Sequence, residues 1–154
     1  MKRDLVELIV AELRQRLDRL VRAARAAHEA ATDPDSKAES KYDTRSLEES
    51  YLATGQARQV KELEATLVAL ENFEPSEFDA DEKIAAGALV KVKSERGGEE
   101  MFFFLAPASG GLEIDFEGKE VTLLSPESPL YQNLLGERAG AVLEAPPFRI
   151  VAVL

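Results

Sequence analysis

The sequence predicts an α+β protein, with an N-terminal antiparallel coiled-coil hairpin followed by a small β-sheet domain that carries one short helix. Three observations support this. An apolar seam with alternating spacings of four and three runs from Val6 to Ala31, and a second one closes at Leu70. An acidic stretch with Pro75 then interrupts the pattern. Beyond it the periodicity changes to short strand-like runs punctuated by glycines. The expected boundaries are a hairpin over 1–74 with an acidic tip near 33–43, a linker over 75–84 and a sheet domain over 85–154.

In the first helix the seam is Val6, Val10, Leu13, Leu17, Leu20, Ala24, Ala27 and Ala31. A helix from about Asp4 to Ala31 would be ~40 Å long at 1.5 Å per residue. Large residues fill the seam first and alanines follow, so the hairpin should narrow toward its tip. A turn is expected at Thr32-Asp33-Pro34-Asp35, with Asp33 capping the second helix and Pro34 at its first position. Ser36-Lys37-Ala38-Glu39 offers an alternative capping box. The second helix should run to about Asn72. Its seam is strong at Val60, Leu63, Leu67 and Leu70, but backward it passes Gln56, Ala53, Glu49, Ser46 and Tyr42. The distal half is therefore expected to pack weakly, and Gly55 weakens it further.

Phe73 to Lys83 reads as the linker. Leu89 to Lys93 then alternates, with Val90 and Val92 inward and Lys91 and Lys93 outward. Gly97-Gly98 should turn the chain. Met101 to Leu105 is a continuous apolar run, as expected of a central strand. Gly110-Gly111 and Gly118 separate further strands, one of them Glu120 to Leu124. A short helix should follow, with Ser128 as its cap, Pro129 in its first turn and Gly136 closing it. Phe148 to Leu154 supplies a last strand.

Composition narrows the function classes. The chain has 154 residues, 45% of them hydrophobic, enough for one ordinary domain or two small ones with a buried core. No apolar run approaches the ~18–20 residues of a membrane span, and the charged N-terminus lacks a secretory hydrophobic block. Cysteine is absent, which excludes disulfide and thiol chemistry and fits a cytoplasmic protein. The net charge of −10 repels phosphate backbones, so autonomous binding to duplex DNA is not expected. Residues 1–31 carry seven basic and five acidic side chains, whereas residues 75–154 carry seven basic and fourteen acidic. An acidic C-terminal half suits a basic protein partner, or serves solubility alone. One seam is used within the hairpin, so a monomer is expected.

No common catalytic constellation is present. The single histidine, His28, lies outside the seam and reads as a surface residue. The glycine pairs lack the phosphate-binding pattern and its following lysine. Charge is concentrated in one narrow place, the tip, where Asp33, Asp35, Glu39 and Asp43 fall close together. Asp35 and Glu39 are four apart and share a helical face. They could share a Mg²⁺ that keeps most of its waters, provided another molecule supplies the remaining ligands. The alternative is that these carboxylates cap the helix and sit solvated near its positive end. Arg14, Arg16, Arg19, Arg22 and Arg25 occupy the arc opposite the first seam. They could follow a phosphate backbone, with Arg14, Arg22 and Arg25 as the RNA contacts. Alternatively they are the wet face of a coiled coil, with Glu12 and Asp18 nearby.

The C-terminal pattern is a strand, then Ser128-Pro129-Leu130, then a helix ending Leu134-Leu135-Gly136. Gly140-Ala141-Val142-Leu143 and the strand from Phe148 to Leu154 follow it. With the helical hairpin before it, this order resembles the Gre family of bacterial transcription elongation factors across nearly the whole chain. The resemblance implies an FKBP-like sheet domain that docks at the rim of RNA polymerase's secondary channel, with Glu127, Ser128 and Pro129 as docking residues by position. It implies a coiled coil inserted in the channel, and tip carboxylates that help hold a second Mg²⁺ of the polymerase near the nascent RNA 3′ end. The chain itself would not be an enzyme, since any RNA hydrolysis would belong to the polymerase.

The tip departs from the family pattern. Aligning Tyr42 with the family's tyrosine places Asp35 on its aspartate but puts Ala38 where the glutamate belongs. Glu39 lies one residue late, a ~100° turn of the helix face. A channel-binding regulator without cleavage is therefore the alternative. A prolyl isomerase, suggested by the FKBP-like fold alone, is a remote third reading.

Overall fold

The computed structural model describes residues 1–32 and 45–154. Helix α1 spans Lys2–Thr32. It contains no glycine or proline and is rich in alanine, leucine and arginine, all strong helix formers. Asp4 lies in its first turn, where a carboxylate complements the helix dipole. Helix α2 spans Arg45–Glu71 and continues through Gly55. The capping positions expected between Asp33 and Glu39 lie outside the described residues.

The chain divides into two compact units, one of Met1–Ile9 with Ala69–Leu154 and one of Val10–Val68. The second unit is helical. Its seam is buried at Val10, Leu13 and Leu67, and half-buried at Leu17, Leu20, Ala24, Val60 and Leu63. Gln56, a seam position by extrapolation, is half-buried, and its Oε1 has no hydrogen-bond partner.

The first unit holds a five-stranded sheet made of β1 (Leu89–Ser94), β2 (Glu100–Leu105), β3 (Glu113–Phe116), β4 (Lys119–Leu124) and β5 (Phe148–Val153). Helix α3, Pro129–Leu134, lies between β4 and β5 in sequence. The strand order is β3-β4-β2-β1-β5. β2 and β4 are parallel, pairing Phe104 with Leu123 and Leu105 with Leu124, and the other ladders are antiparallel.

One face of the sheet packs with α3 into a core that includes Val90, Val92, Phe103, Leu105, Ile150, Tyr131 and Leu134. The residues that alternate with these, Leu89, Phe104 and Leu123, are buried as well. Phe73, just past α2, meets Phe104 edge-on with ring centroids 6.4 Å apart. Burial on both faces accounts for the unbroken apolar run of β2, since neither side of that strand needs polar residues. Phe103 and Tyr131 are spent in this core.

The first turns of α1 belong to the same unit. Leu5 and Ile9 are fully buried, as is Leu70 at the end of α2. Arg3 pairs with Glu74 at 3.7 Å, so the start of α1 lies beside the chain leaving α2. Lys2 is the one buried charged side chain among the described residues, 1% exposed. Its ammonium donates to Ser76 O, to Gly87 O at 3.1 Å and to Leu154 O at 3.0 Å, and it lies 4.5 Å from the centre of the Phe78 ring. All three ammonium protons thus have acceptors, which is what makes its burial tolerable. Burial still lowers its pKa, against the opposing charges of Glu77 and Glu82.

Candidate functional site

The site of interest is the segment Ser125–Pro129, between β4 and α3. β4 ends on Leu123 and Leu124, both buried. Their carbonyls accept from Gly111 N and Ala106 N, each at 2.8 Å, so the strand's end is held on a fixed ladder. The next four residues form a turn closed by Ser128 N–H donating to Ser125 O at 2.9 Å. Pro126 takes the second position of this turn, where its fixed φ is favoured. Glu127 takes the third and is exposed.

Helix α3 then begins with Pro129 in its first turn. Ser128 has the extended backbone of a cap residue, but its side chain makes no capping hydrogen bond. The expectation that Ser128 caps through its hydroxyl is corrected on that point. The turn is tied to the helix by another side chain: Gln132 Nε2 donates to Pro126 O at 2.8 Å. Tyr131 and Leu134 bury the other side of α3, and burial raises the Tyr131 phenol's pKa. Gly136 closes the element at a φ of +79°, which favours glycine, and its N–H donates to Ile84 O at 2.8 Å.

Glu127 is the charged group that this turn presents. A hydrogen bond from the Ser125 hydroxyl, with a second from its own backbone N–H, lowers the pKa of its carboxyl. The turn therefore offers a carboxylate ionised at neutral pH and an exposed Pro129, beside a half-buried Ser128. Such a surface can accept hydrogen bonds from, and pair with, a basic group on a partner.

Arg14, Arg22 and Arg25 are all exposed on α1, as are Arg16 and Arg19. Arg22 pairs with Asp18 at 2.9 Å and Arg16 with Glu12 at 3.8 Å, so part of this stripe is neutralised along the helix. His28 lies on α1. Asp35 and Glu39 lie outside the described residues, together with Asp33, Ala38, Tyr42 and Asp43. Sequence reasoning missed Lys2, which reads as an ordinary N-terminal charge, and it missed the support given to the turn by Gln132. A glutamine three residues after Pro129 carries no signal of that contact.

No helix among the described residues is long and apolar enough to cross a membrane. No protein-family model and no curated protein matches the chain. Among solved structures it is similar to the GreA factor homolog 1 (Gfh1) protein of Thermus thermophilus, at 22% identity over 94% of both chains with a TM-score of 0.37. A structure of the transcription factor Gfh1 is 21% identical, covering 94% of this chain and 92% of that one, with a TM-score of 0.38. Thermus aquaticus Gfh1 is 21% identical over 97% and 92% of the two chains, with a TM-score of 0.37. The chain's neighbours among solved structures thus include homologues of Gre factors, matched over almost their full length.

Proposed function

We propose that this chain is a Gre-like transcription elongation factor that binds RNA polymerase. In this reading the Ser125–Pro129 turn docks on the enzyme, and the pair formed by α1 and α2 enters the secondary channel. The observation that carries the reading is the turn itself. It presents an ionised Glu127 and an exposed Pro129 between a buried strand end and a helix anchored by Tyr131 and Leu134. A rigid presentation of this kind lowers the ordering cost of binding. The acidic balance of residues 75–154 supports association with a basic or mixed surface. The chain acts as an accessory factor in the bacterial cytoplasm and has no catalytic role of its own.

Asp35 and Glu39 would belong, in this reading, to a Mg²⁺ shared with the polymerase. The register of Glu39, four residues after Asp35, favours a second reading in which the factor occupies the channel and regulates elongation without cleavage. The docking claim is tested by titrating RNA polymerase with the full chain and with a variant of the turn. Cleavage of backtracked RNA separates the two readings of the tip.

A further inference from the structure

The sheet face turned away from α3 is apolar over one part and basic over the next. Leu89, Phe104 and Leu123 of that face are buried, and Phe73 lies against Phe104. Two residues further along the strands the face changes character. Lys91 of β1 pairs with Phe102 of β2, and Lys93 pairs with Arg149 of β5, so these side chains leave the sheet on one side. Lys119 begins β4 two residues before Val121, which also pairs with Phe102. Val142 extends the same side through its bridge to Arg149 and is 51% exposed. Residues 75–154 carry seven basic side chains against fourteen acidic ones, yet Lys91, Lys93, Lys119 and Arg149 stand together on this half-face. Glu100 pairs with Lys91 at 3.1 Å and Glu95 with Arg149 at 2.9 Å. Lys93 and Lys119 have no ion pair among the described residues. The Phe102 ring is half-buried, with the Lys119 ammonium 4.9 Å and the Lys91 ammonium 5.9 Å from its centre. Lys119 is thus held beside a ring and not by a carboxylate.

We propose that this half-face is a second docking surface, for an acidic protein segment that also carries aliphatic side chains. It is independent of the Ser125–Pro129 turn, because Lys119 and Ser125 flank opposite ends of β4, roughly 20 Å apart at ~3.3 Å per residue. An incoming carboxylate meets in Lys93 and Lys119 two cations that no carboxylate of the chain neutralises, and charge-assisted hydrogen bonds can form there. Glu100 already places one carboxylate on Lys91 in this way. Two observations favour a protein segment over a nucleic acid. Val142 offers an aliphatic contact that a phosphate backbone cannot use. Phe102 carries its own ammoniums and does not present a bare ring for a base to stack on. A phosphate backbone would also run off the half-face onto a chain of net charge −10, whereas a short acidic segment need not.

The test is an NMR titration of the isotope-labelled full chain with a short synthetic peptide that alternates glutamate and leucine. A peptide with serine in place of leucine and a single-stranded oligouridine are titrated alongside. Saturable, salt-sensitive binding of the glutamate–leucine peptide is expected, with shifts centred on the amides of Lys91, Lys93, Phe102 and Lys119. A Lys93→Gln, Lys119→Gln double variant should lose about tenfold in affinity, and Val142→Ser should weaken the leucine peptide several-fold without affecting the serine one. The control is Lys83→Gln with Arg138→Gln, which removes the same charge from exposed positions outside the strands and should bind as wild type does. The Glu127→Gln, Pro129→Ala variant should do so too, whether or not the turn contacts a polymerase. Circular dichroism confirms that each variant is folded. The proposal is overturned by absence of saturable peptide binding at low salt, by wild-type binding in the Lys93, Lys119 variant, or by an equal loss in the control. Tighter binding of oligouridine than of the peptide overturns it in favour of a nucleic-acid surface.

Discussion

The Lys2 ammonium donates a hydrogen bond at 3.1 Å to the carbonyl of Gly87, 85 positions further along the chain. The same ammonium reaches Ser76 O and Leu154 O, so one side chain at the start of α1 joins three separate segments of the sheet unit. Lys2→Met keeps an apolar stem of similar length but leaves the buried Gly87 carbonyl without this donor. A loss of roughly 2–4 kcal/mol in unfolding free energy is expected, from hydrogen bonds to a charged group and an acceptor left unsatisfied. Urea unfolding measures it, and an unchanged midpoint would remove Lys2 from the account of stability.

The same residue gives the unit a defined response to alkaline pH. Burial lowers the Lys2 pKa from 10.5, chiefly by desolvation. Between the folded-state value and 10.5 the unfolded chain binds more protons than the folded one, so the Lys2 contribution to stability grows as pH rises through that window. The stability difference between wild type and Lys2→Met should therefore widen in favour of wild type on going up through it. Paired denaturant titrations at several alkaline pH values test this, and a difference that narrows as pH rises would contradict it.

Gly87 is constrained from the other side too. Its φ is +87°, and a Cβ there would lie 3.2 Å from Phe73 Cζ and 3.3 Å from Pro75 Cα. Gly87→Ala should cost about 1–3 kcal/mol from backbone strain, with crowding added. Phe73 is also the residue stacked edge-on against Phe104, so the near-ultraviolet circular dichroism should change as well. Full stability in Gly87→Ala would count against this packing.

Gln56 offers a change in the opposite direction. Its Oε1 is buried without a partner on the helical seam. Gln56→Leu replaces an unsatisfied polar group with an apolar one and should raise the melting temperature, by up to about 1 kcal/mol in stability. A lowered melting temperature would indicate that the amide is satisfied in solution.

Much of this fold was legible in the sequence because its elements follow simple periods. The seam from Val6 to Leu20 on α1 matches the buried and half-buried positions. The continuous run Met101 to Leu105 gave β2, because a strand buried on both faces leaves no polar alternation. What escaped was the second burial at the start of α1. Leu5 and Ile9 fall outside the heptad seam, yet both are fully buried, because the first nine residues pack within the sheet unit as well as along a helix. Periodicity registers one buried stripe and says nothing of a second partner. The turn between β4 and α3 and the short helix after it were legible through their proline and serine pattern, but the contacts that support the turn were not. Gln132 reaches Pro126 O, and Gly110 leaves room for Ser125, only once β4 and α3 are in place.

The tip distinguishes cleavage from occupancy. If Asp35 and Glu39 serve a shared Mg²⁺, Asp35→Asn or Glu39→Gln should abolish stimulated cleavage of backtracked RNA with binding nearly unchanged. If they serve only as helix-capping charges, the same substitutions should cost about 1 kcal/mol of stability and leave polymerase function intact. Wild-type protein that saturates the polymerase yet never accelerates cleavage, at any Mg²⁺ concentration, would leave the non-cleaving regulator standing.

In the proposed function the Ser125–Pro129 turn docks this chain on RNA polymerase. The most direct measurement is a binding titration of the purified enzyme with the full chain and with the Glu127→Gln, Pro129→Ala double variant, at two salt concentrations. Saturable binding by wild type that weakens with salt is expected, with at least about a tenfold loss in the double variant, the loss of one charge-assisted contact. Circular dichroism should show that the variant remains folded. No binding by wild type, or equal binding by the two chains, would contradict the account.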